Sequence, residues 1–148
     1  MTYTLQHLED QEAFQASLDL MRVLRPHVAN PDTYVAQLVR QTAQGYRLLA
    51  AWDGEQMAGL AGYRELENLL YGRFIYVDDL VIRPALQRSG LGGRLLAAVR
   101  EEAVQRRCDH LVLDTGLHMP LAQRFYFRQG LLARGMHFTQ SLQAGNQA

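Results

Sequence analysis

Apolar positions along the chain change period several times, and each change marks an element. Residues 2–8 (TYTLQHL) alternate weakly, which predicts a first strand. Residues 10–24 carry Phe14, Leu18, Met21 and Val23 at helical spacing, and Pro26 closes that helix. Asn30-Pro31-Asp32 reads as a helix start with proline in the first turn, and Tyr34, Leu38 and Val39 stripe the segment that follows, to about Gly45. Residues 46–52 (YRLLAAW) and 57–64 (MAGLAGYR), joined across Asp53-Gly54, predict a hairpin. Residues 74–82 (FIYVDDLVI) are rich in β-branched and aromatic side chains, the mark of a third long strand. Leu91, Leu95, Val99 and Ala103 recur every fourth residue, with Leu96 widening the stripe, so residues 91–107 form a helix. A short strand (110–114), a helix (119–129) ended by Gly130, and a last strand (137–142) complete the pattern. Strands followed by strand–helix–strand–helix specify a mixed α/β sheet with at least one parallel crossover.

The chain has 148 residues, which suits one domain spanning 1–148. Composition narrows the classes of function. No apolar run approaches the ~20 residues of a membrane span, and residues 1–7 lack the basic start and apolar core of a signal peptide, which predicts a cytoplasmic protein. Cys108 is the one cysteine, so neither an intrachain disulfide nor a thiolate zinc cluster is available, and the histidines show no ligand spacing; no metal is expected. Formal charge is zero, which gives no overall attraction to nucleic acid or an anionic membrane. All 15 basic residues are Arg. The absence of Lys excludes a P-loop lysine and a Schiff-base amine.

The segment between the third strand and the long helix carries the clearest chemistry. The strand ends at Pro84, and Gln87-Arg88-Ser89-Gly90-Leu91-Gly92-Gly93-Arg94 leads into the helix. Unpaired N–H groups and the positive end of the helix dipole converge at such a start. Glycine at 90, 92 and 93 lets an anion approach the backbone, and Arg88 and Arg94 add charged donors. The arrangement suits a diphosphate. It is not a dinucleotide fingerprint, because Leu95 stands where the third glycine of G-x-G-x-x-G belongs.

Gln87-Arg88-Ser89-Gly90-Leu91-Gly92 resembles motif A of the GNAT superfamily of N-acetyltransferases, [QR]-x-x-G-x-[GA], and residues 80–84 resemble the strand that precedes it. Downstream, Ala122-Gln123-Arg124-Phe125-Tyr126-Phe127-Arg128-Gln129-Gly130-Leu131 is similar to motif B, A-x-x-F-Y-x-x-x-G-F, with Leu131 in place of the last aromatic. The family often has Asn three residues before the motif B alanine; Met119 stands there, beside His118. The resemblance covers about residues 46–140 and implies an α/β (α+β) fold: a mixed, mostly antiparallel sheet of six or seven strands with about four helices and a central, splayed parallel pair. It implies acetyl-CoA as co-substrate, with Gln87 to Arg94 on the pyrophosphate and the backbone of Leu80, Val81 and Ile82 on pantetheine and the thioester carbonyl. The implied reaction is direct transfer of acetyl, in a ternary complex, to a primary amine of a small metabolite. Acetylation of a protein or peptide amine, or a non-catalytic acyl-CoA sensor, are the alternatives. Family members often dimerise, so a homodimer is compatible with the resemblance.

Within that scheme Tyr126 matches the family's tyrosine near the sulfur, and a phenol can protonate a departing thiolate; an aromatic packed in the core is the structural alternative. Asp78 and Asp79 interrupt an apolar strand, and Asp114 ends the next one. Asp79 and Asp114 are the candidates for base or water relay, against the alternative that each pairs with an Arg. Glu65, Tyr71 and Asp78, with Glu67 and Arg73, are expected around a turn near the cleft, where carboxylates would attract a cationic amine; a solvated hairpin explains them equally well.

Overall fold

A computed structural model describes residues 2–143. They form two compact units divided after Leu113. The first contains β1 (Thr4–Leu8), α1 (Gln11–Ala16), α2 (Leu18–Leu24), α3 (Pro31–Ala43), β2 (Arg47–Asp53), β3 (Gln56–Asn68), β4 (Gly72–Ile82), α4 (Leu91–Gln105) and β5 (His110–Leu113). Its sheet runs in the order β1-β2-β3-β4-β5. The first three pairings are antiparallel; β4 and β5 are parallel, joined by the crossover helix α4.

Both sheet faces are covered, so β2 and β3 read as near-continuous apolar runs rather than alternating ones. Leu48, Ala50, Leu60 and Val81 pack with Phe14, Leu18, Met21 and Leu38 of the three N-terminal helices. Leu91, Leu95, Leu96 and Val99 of α4 are also buried; the helix packs on β3 and β4.

The expected helix over 10–24 is two helices. Ser17, fully buried, bonds through its hydroxyl to the Phe14 carbonyl (2.6 Å) and to the Tyr34 hydroxyl (2.7 Å). A serine that bonds back to its own helix competes with the backbone ladder and bends it. The anchor on α3 fixes that break.

The second unit holds α5 (Pro120–Arg128). Gly130, at φ +89°, ends it in a Schellman motif: Gly130 N–H donates to the Phe127 carbonyl (3.1 Å) and Leu131 N–H to that of Tyr126 (3.1 Å). The sheet has five strands among the described residues, not six or seven. The strand expected over 137–142 does not form. Phe138 and Leu142 are exposed there, as are Leu132 and Met136 just before. Alternation alone does not make a strand; a partner for its backbone groups does, and the polar run Thr139-Gln140-Ser141 dilutes the apolar face.

Candidate active site

Two features of β4 shape the site. Its parallel pairing with β5 stops at Val77↔Leu113, whereas its pairing with β3 continues to Ile82. Residues 78–82 therefore present an edge with backbone groups unpaired by any strand among the described residues. The register against β3 also slips at this point, from Gly62↔Asp79 to Tyr63↔Val77, so Asp78 is the extra residue of a bulge. Bulges redirect side chains. This one places two consecutive carboxylates, on a strand otherwise apolar, in reach of different partners.

Beyond β4 the chain makes a single 3-10 turn, Pro84–Leu86, and enters α4 through Gly90 in the left-handed region (φ +87°). Arg88 is also left-handed (φ +66°), a conformation that costs a non-glycine residue roughly 1–2 kcal/mol. No side chain caps α4, so its first-turn N–H groups point outward from a 15-residue helix. An added Cβ at Gly90 would meet open space. The exposed Arg88 and Ser89 flank this start, while the Arg94 guanidinium lies over the Tyr3 ring (5.7 Å). An anion fits here on backbone donors, and an extended chain fits along the open edge of Leu80, Val81 and Ile82.

Next to that edge lies a cavity of about 470 Å³, bounded by α2, α3, the loop between them and β4. Asp79 lies in its wall. The Tyr46 hydroxyl donates to Asp79 Oδ2 (2.7 Å), and Arg25 Nε and Nη2 both approach Oδ1 (3.1 Å each). Arg25 Nη2 also donates to the Asp78 carbonyl (2.8 Å). Burial and the adjacent Asp79 charge push the Tyr46 phenol well above its ordinary pKa, so it remains a donor. Tyr34, held by Ser17, is pushed up to about 12, chiefly by burial. Arg22 donates to the carbonyls of Val28 (2.9 Å) and Ala29, which fixes the loop over the cavity.

The other expected acceptor residues do not meet there. Asp78 is held in a fork by Arg64 (2.8 Å on each oxygen); burial raises its carboxyl pKa and the fork opposes that rise. Glu65 accepts from Arg73 (3.0 Å) and Arg106 (3.3 Å), which keep its pKa low. Tyr71 precedes β4, and its carbonyl bonds His110 Nδ1 (2.7 Å). At ~3.3 Å per strand residue it lies roughly 20 Å along the chain from Asp78. The turn expected after residue 64 is in fact strand: β3 runs on to Asn68 and carries Glu65 and Glu67 with it.

Asp114 and Tyr126 belong to the second unit. Asp114 Oδ2 pairs with His137 Nδ1 (3.1 Å). Tyr126, on α5, stacks edge-on against Phe125 (5.2 Å between centroids), and burial raises its phenol pKa. Gln123 Nε2 donates to the carbonyls of Gly116 (3.0 Å) and Leu117 (3.2 Å), holding the loop before α5. Met119 stands at the start of α5 without a capping side-chain bond. Among the described residues no group of three or more His, Cys, Asp or Glu is placed to hold a metal ion, and no helix is long and apolar enough to cross a membrane.

Comparison with known proteins decides the class. The model of the acetyltransferase (GNAT) family matches residues 5–131. The chain belongs to that family. An aminoalkylphosphonate N-acetyltransferase of Salmonella typhimurium is 29% identical over 136 residues, spanning 90% of this chain and 86% of that protein. Among solved structures, a transcriptional regulator from Bacillus halodurans superposes with a TM-score of 0.85 at 20% identity, over 95% of this chain and 100% of the other. AAC(6')-Iy, in complex with the bisubstrate analogue CoA-S-monomethyl-acetylneamine, superposes with a TM-score of 0.82 at 14% identity, over 95% and 99%. This acetyltransferase thus has the α+β fold that its two motifs imply. The family's acyl donor, acetyl-CoA, suits the capless glycine-rich start of α4 and the open β4 edge. Arg25, Tyr46 and the cavity had no signal in the sequence: Arg25 and Asp79 are 54 residues apart, and nothing in either segment names the other.

Proposed function

We propose that this acetyltransferase moves the acetyl group of acetyl-CoA to the primary amine of a small molecule held in the cavity beside Asp79, by direct attack in a ternary complex. The observation that carries this reading is the position of Asp79: a part-buried carboxylate in the wall of a cavity of small-molecule size, on the open backbone edge and next to Leu80. Acetyl-CoA supplies an activated acyl thioester. The chain's own residues do the rest. N–H groups at the start of α4 bind the pyrophosphate, and those along Leu80, Val81 and Ile82 hold pantetheine and orient the thioester carbonyl, an oxyanion-hole role. Asp79 draws in the substrate ammonium and accepts its proton, directly or through water. Tyr126, kept protonated by burial, is the acid for the departing thiolate. Asp114, paired with His137, is the alternative relay.

The phosphonate-acetylating relative and the size of the cavity both favour a small amine over a protein amine. Free-thiol release from acetyl-CoA, measured against short amines, aminoalkylphosphonates, amino acids and peptides, tests the reading. Turnover with a small amine, falling about a hundredfold or more in Asp79→Asn, is the expected result for loss of a general base. Tight coenzyme A binding with no thiol release from any acceptor would instead mark an acyl-CoA sensor.

A further inference from the structure

Arg25 and Asp79 are the arginine and the carboxylate among the described residues lining the cavity, and they touch each other. Their contact is lopsided. Arg64 grips Asp78 with one nitrogen on each oxygen, at 2.8 Å. Arg25 instead sets both Nε and Nη2 against the same oxygen of Asp79, at 3.1 Å, because Tyr46 already holds the other. Two neighbouring carboxylates thus have one well-made guanidinium pair and one poorly made one, and the poor one faces the cavity. Arg25 is also the looser partner: its side chain is 42% exposed against 14% for Asp79. Its Nη1 donates to no other described residue.

We propose that Arg25 is the receptor for an anionic group, phosphonate or carboxylate, on the amine substrate, and that binding this group draws Arg25 off Asp79. The inference rests on the amine-acetylating role just assigned. A zwitterionic substrate brings one charge of each sign to a cavity that offers one of each. Its anion takes the flat guanidinium fork, which suits two-oxygen recognition, and its ammonium replaces Arg25 on Asp79. No charge is left unpaired at any stage, so the exchange avoids the penalty of baring a part-buried carboxylate. A simple alkylamine has no such route. Its ammonium must share Asp79 with a guanidinium already there, cation beside cation. The same residue therefore attracts zwitterions and repels plain amines, and both effects set specificity. Moving Arg25 gives up its 2.8 Å bond to the Asp78 carbonyl, which the new contact with the substrate anion offsets, and it leaves the following loop in place because Arg22, not Arg25, anchors that loop.

The test is steady-state thiol release by the wild type, Arg25→Gln and Arg25→Lys with three amines of equal chain length: an aminoalkylphosphonate, the matching amino carboxylate and the matching alkylamine. Arg25→Gln should raise KM for the anionic amines about tenfold or more, the loss of one charge-assisted contact, and lower KM for the alkylamine. Arg25→Lys should recover part of the anion preference without the full fork. Comparing the two anionic arms identifies which group the fork reads. An equal rise in KM for all three amines is what mere structural damage would give, and it overturns the proposal. If the wild type acetylates none of them, the amine-acetylating reading fails instead. Arg25 is then judged by calorimetric binding of the aminoalkylphosphonate: binding lost in Arg25→Gln upholds the receptor role, and unchanged binding removes it.

Discussion

Gly62 owes its place in β3 to the ring above it. A Cβ there would overlap the Tyr46 hydroxyl oxygen and sit 2.5 Å from Cζ, and Tyr46 is 1% exposed, with no room to retreat. Gly62→Ala should destabilise the protein by about 1–3 kcal/mol, as overpacking does. It should also cut kcat by more than that loss explains, because the displaced phenol leaves Asp79. Urea unfolding beside kinetics measured well below the melting temperature separates the two; kcat unchanged in a destabilised variant would show that the Tyr46–Asp79 bond has no part in the reaction. Tyr126 combines its motif position with burial that raises its phenol pKa. Tyr126→Phe should lower kcat far more than it raises KM for acetyl-CoA, and unaltered kcat would withdraw it as the acid. The two tyrosines differ in how they are found. Tyr126 is legible because the residues that define it surround it in the chain. Tyr46 reads as the first residue of an apolar strand; only the bulge at Asp78 and the missing side chain at Gly62 bring it to a carboxylate 33 residues away.

At the scale of elements, the start of α4 carries the proposed pyrophosphate contacts. Gly90 is left-handed, with empty space where a Cβ would point, so Gly90→Ala costs only the conformational penalty, roughly 1 kcal/mol. The new methyl would nevertheless stand at the mouth of the N–H cluster. KM for acetyl-CoA should rise severalfold while kcat at saturation changes little; an unaltered KM would move the pyrophosphate elsewhere. The same element shows what period can and cannot reveal. The four-residue recurrence along α4 and the Asp-Gly turn between β2 and β3 are local signals, and both elements fall where the pattern places them. The break at Ser17 is only half local. Its hydroxyl turns back on the Phe14 carbonyl, but the Tyr34 hydroxyl that fixes it there lies on α3, 17 residues later. The cavity beside Asp79 has the same origin: its walls come from α2, α3 and β4, elements readable one by one, whose convergence is a product of packing. Residues 137–142 have the period of a strand and none of the pairing.

For the whole molecule, zero net charge means that acidic and basic ligands are attracted by local arrangements, not by an overall field. It also leaves the pH dependence of stability to a few groups placed by the fold, and His7 is one of them. It lies on the edge strand β1, where its Nε2 meets the Tyr63 hydroxyl of β3 at 2.7 Å. Burial first, and then the charge of Arg47, hold its pKa below the ordinary 6.5. The unfolded chain therefore takes up a proton near pH 6.5 that the folded chain takes up only at lower pH. Between those two values the unfolded state binds more protons, so stability rises with pH there. The native state has its full advantage above about pH 6.5 and loses it as pH falls towards the depressed value. The ring is only half buried, so solvent screening keeps the effect below about 1 kcal/mol. His7→Gln keeps a polar partner for Tyr63 and removes the titration. Melting curves from pH 7.5 down to pH 5 should show the wild type losing stability faster than the variant, with the gap opening below pH 6.5. Parallel curves would mean that His7 titrates alike in both states, and that the strand pairing around it does not sense the proton.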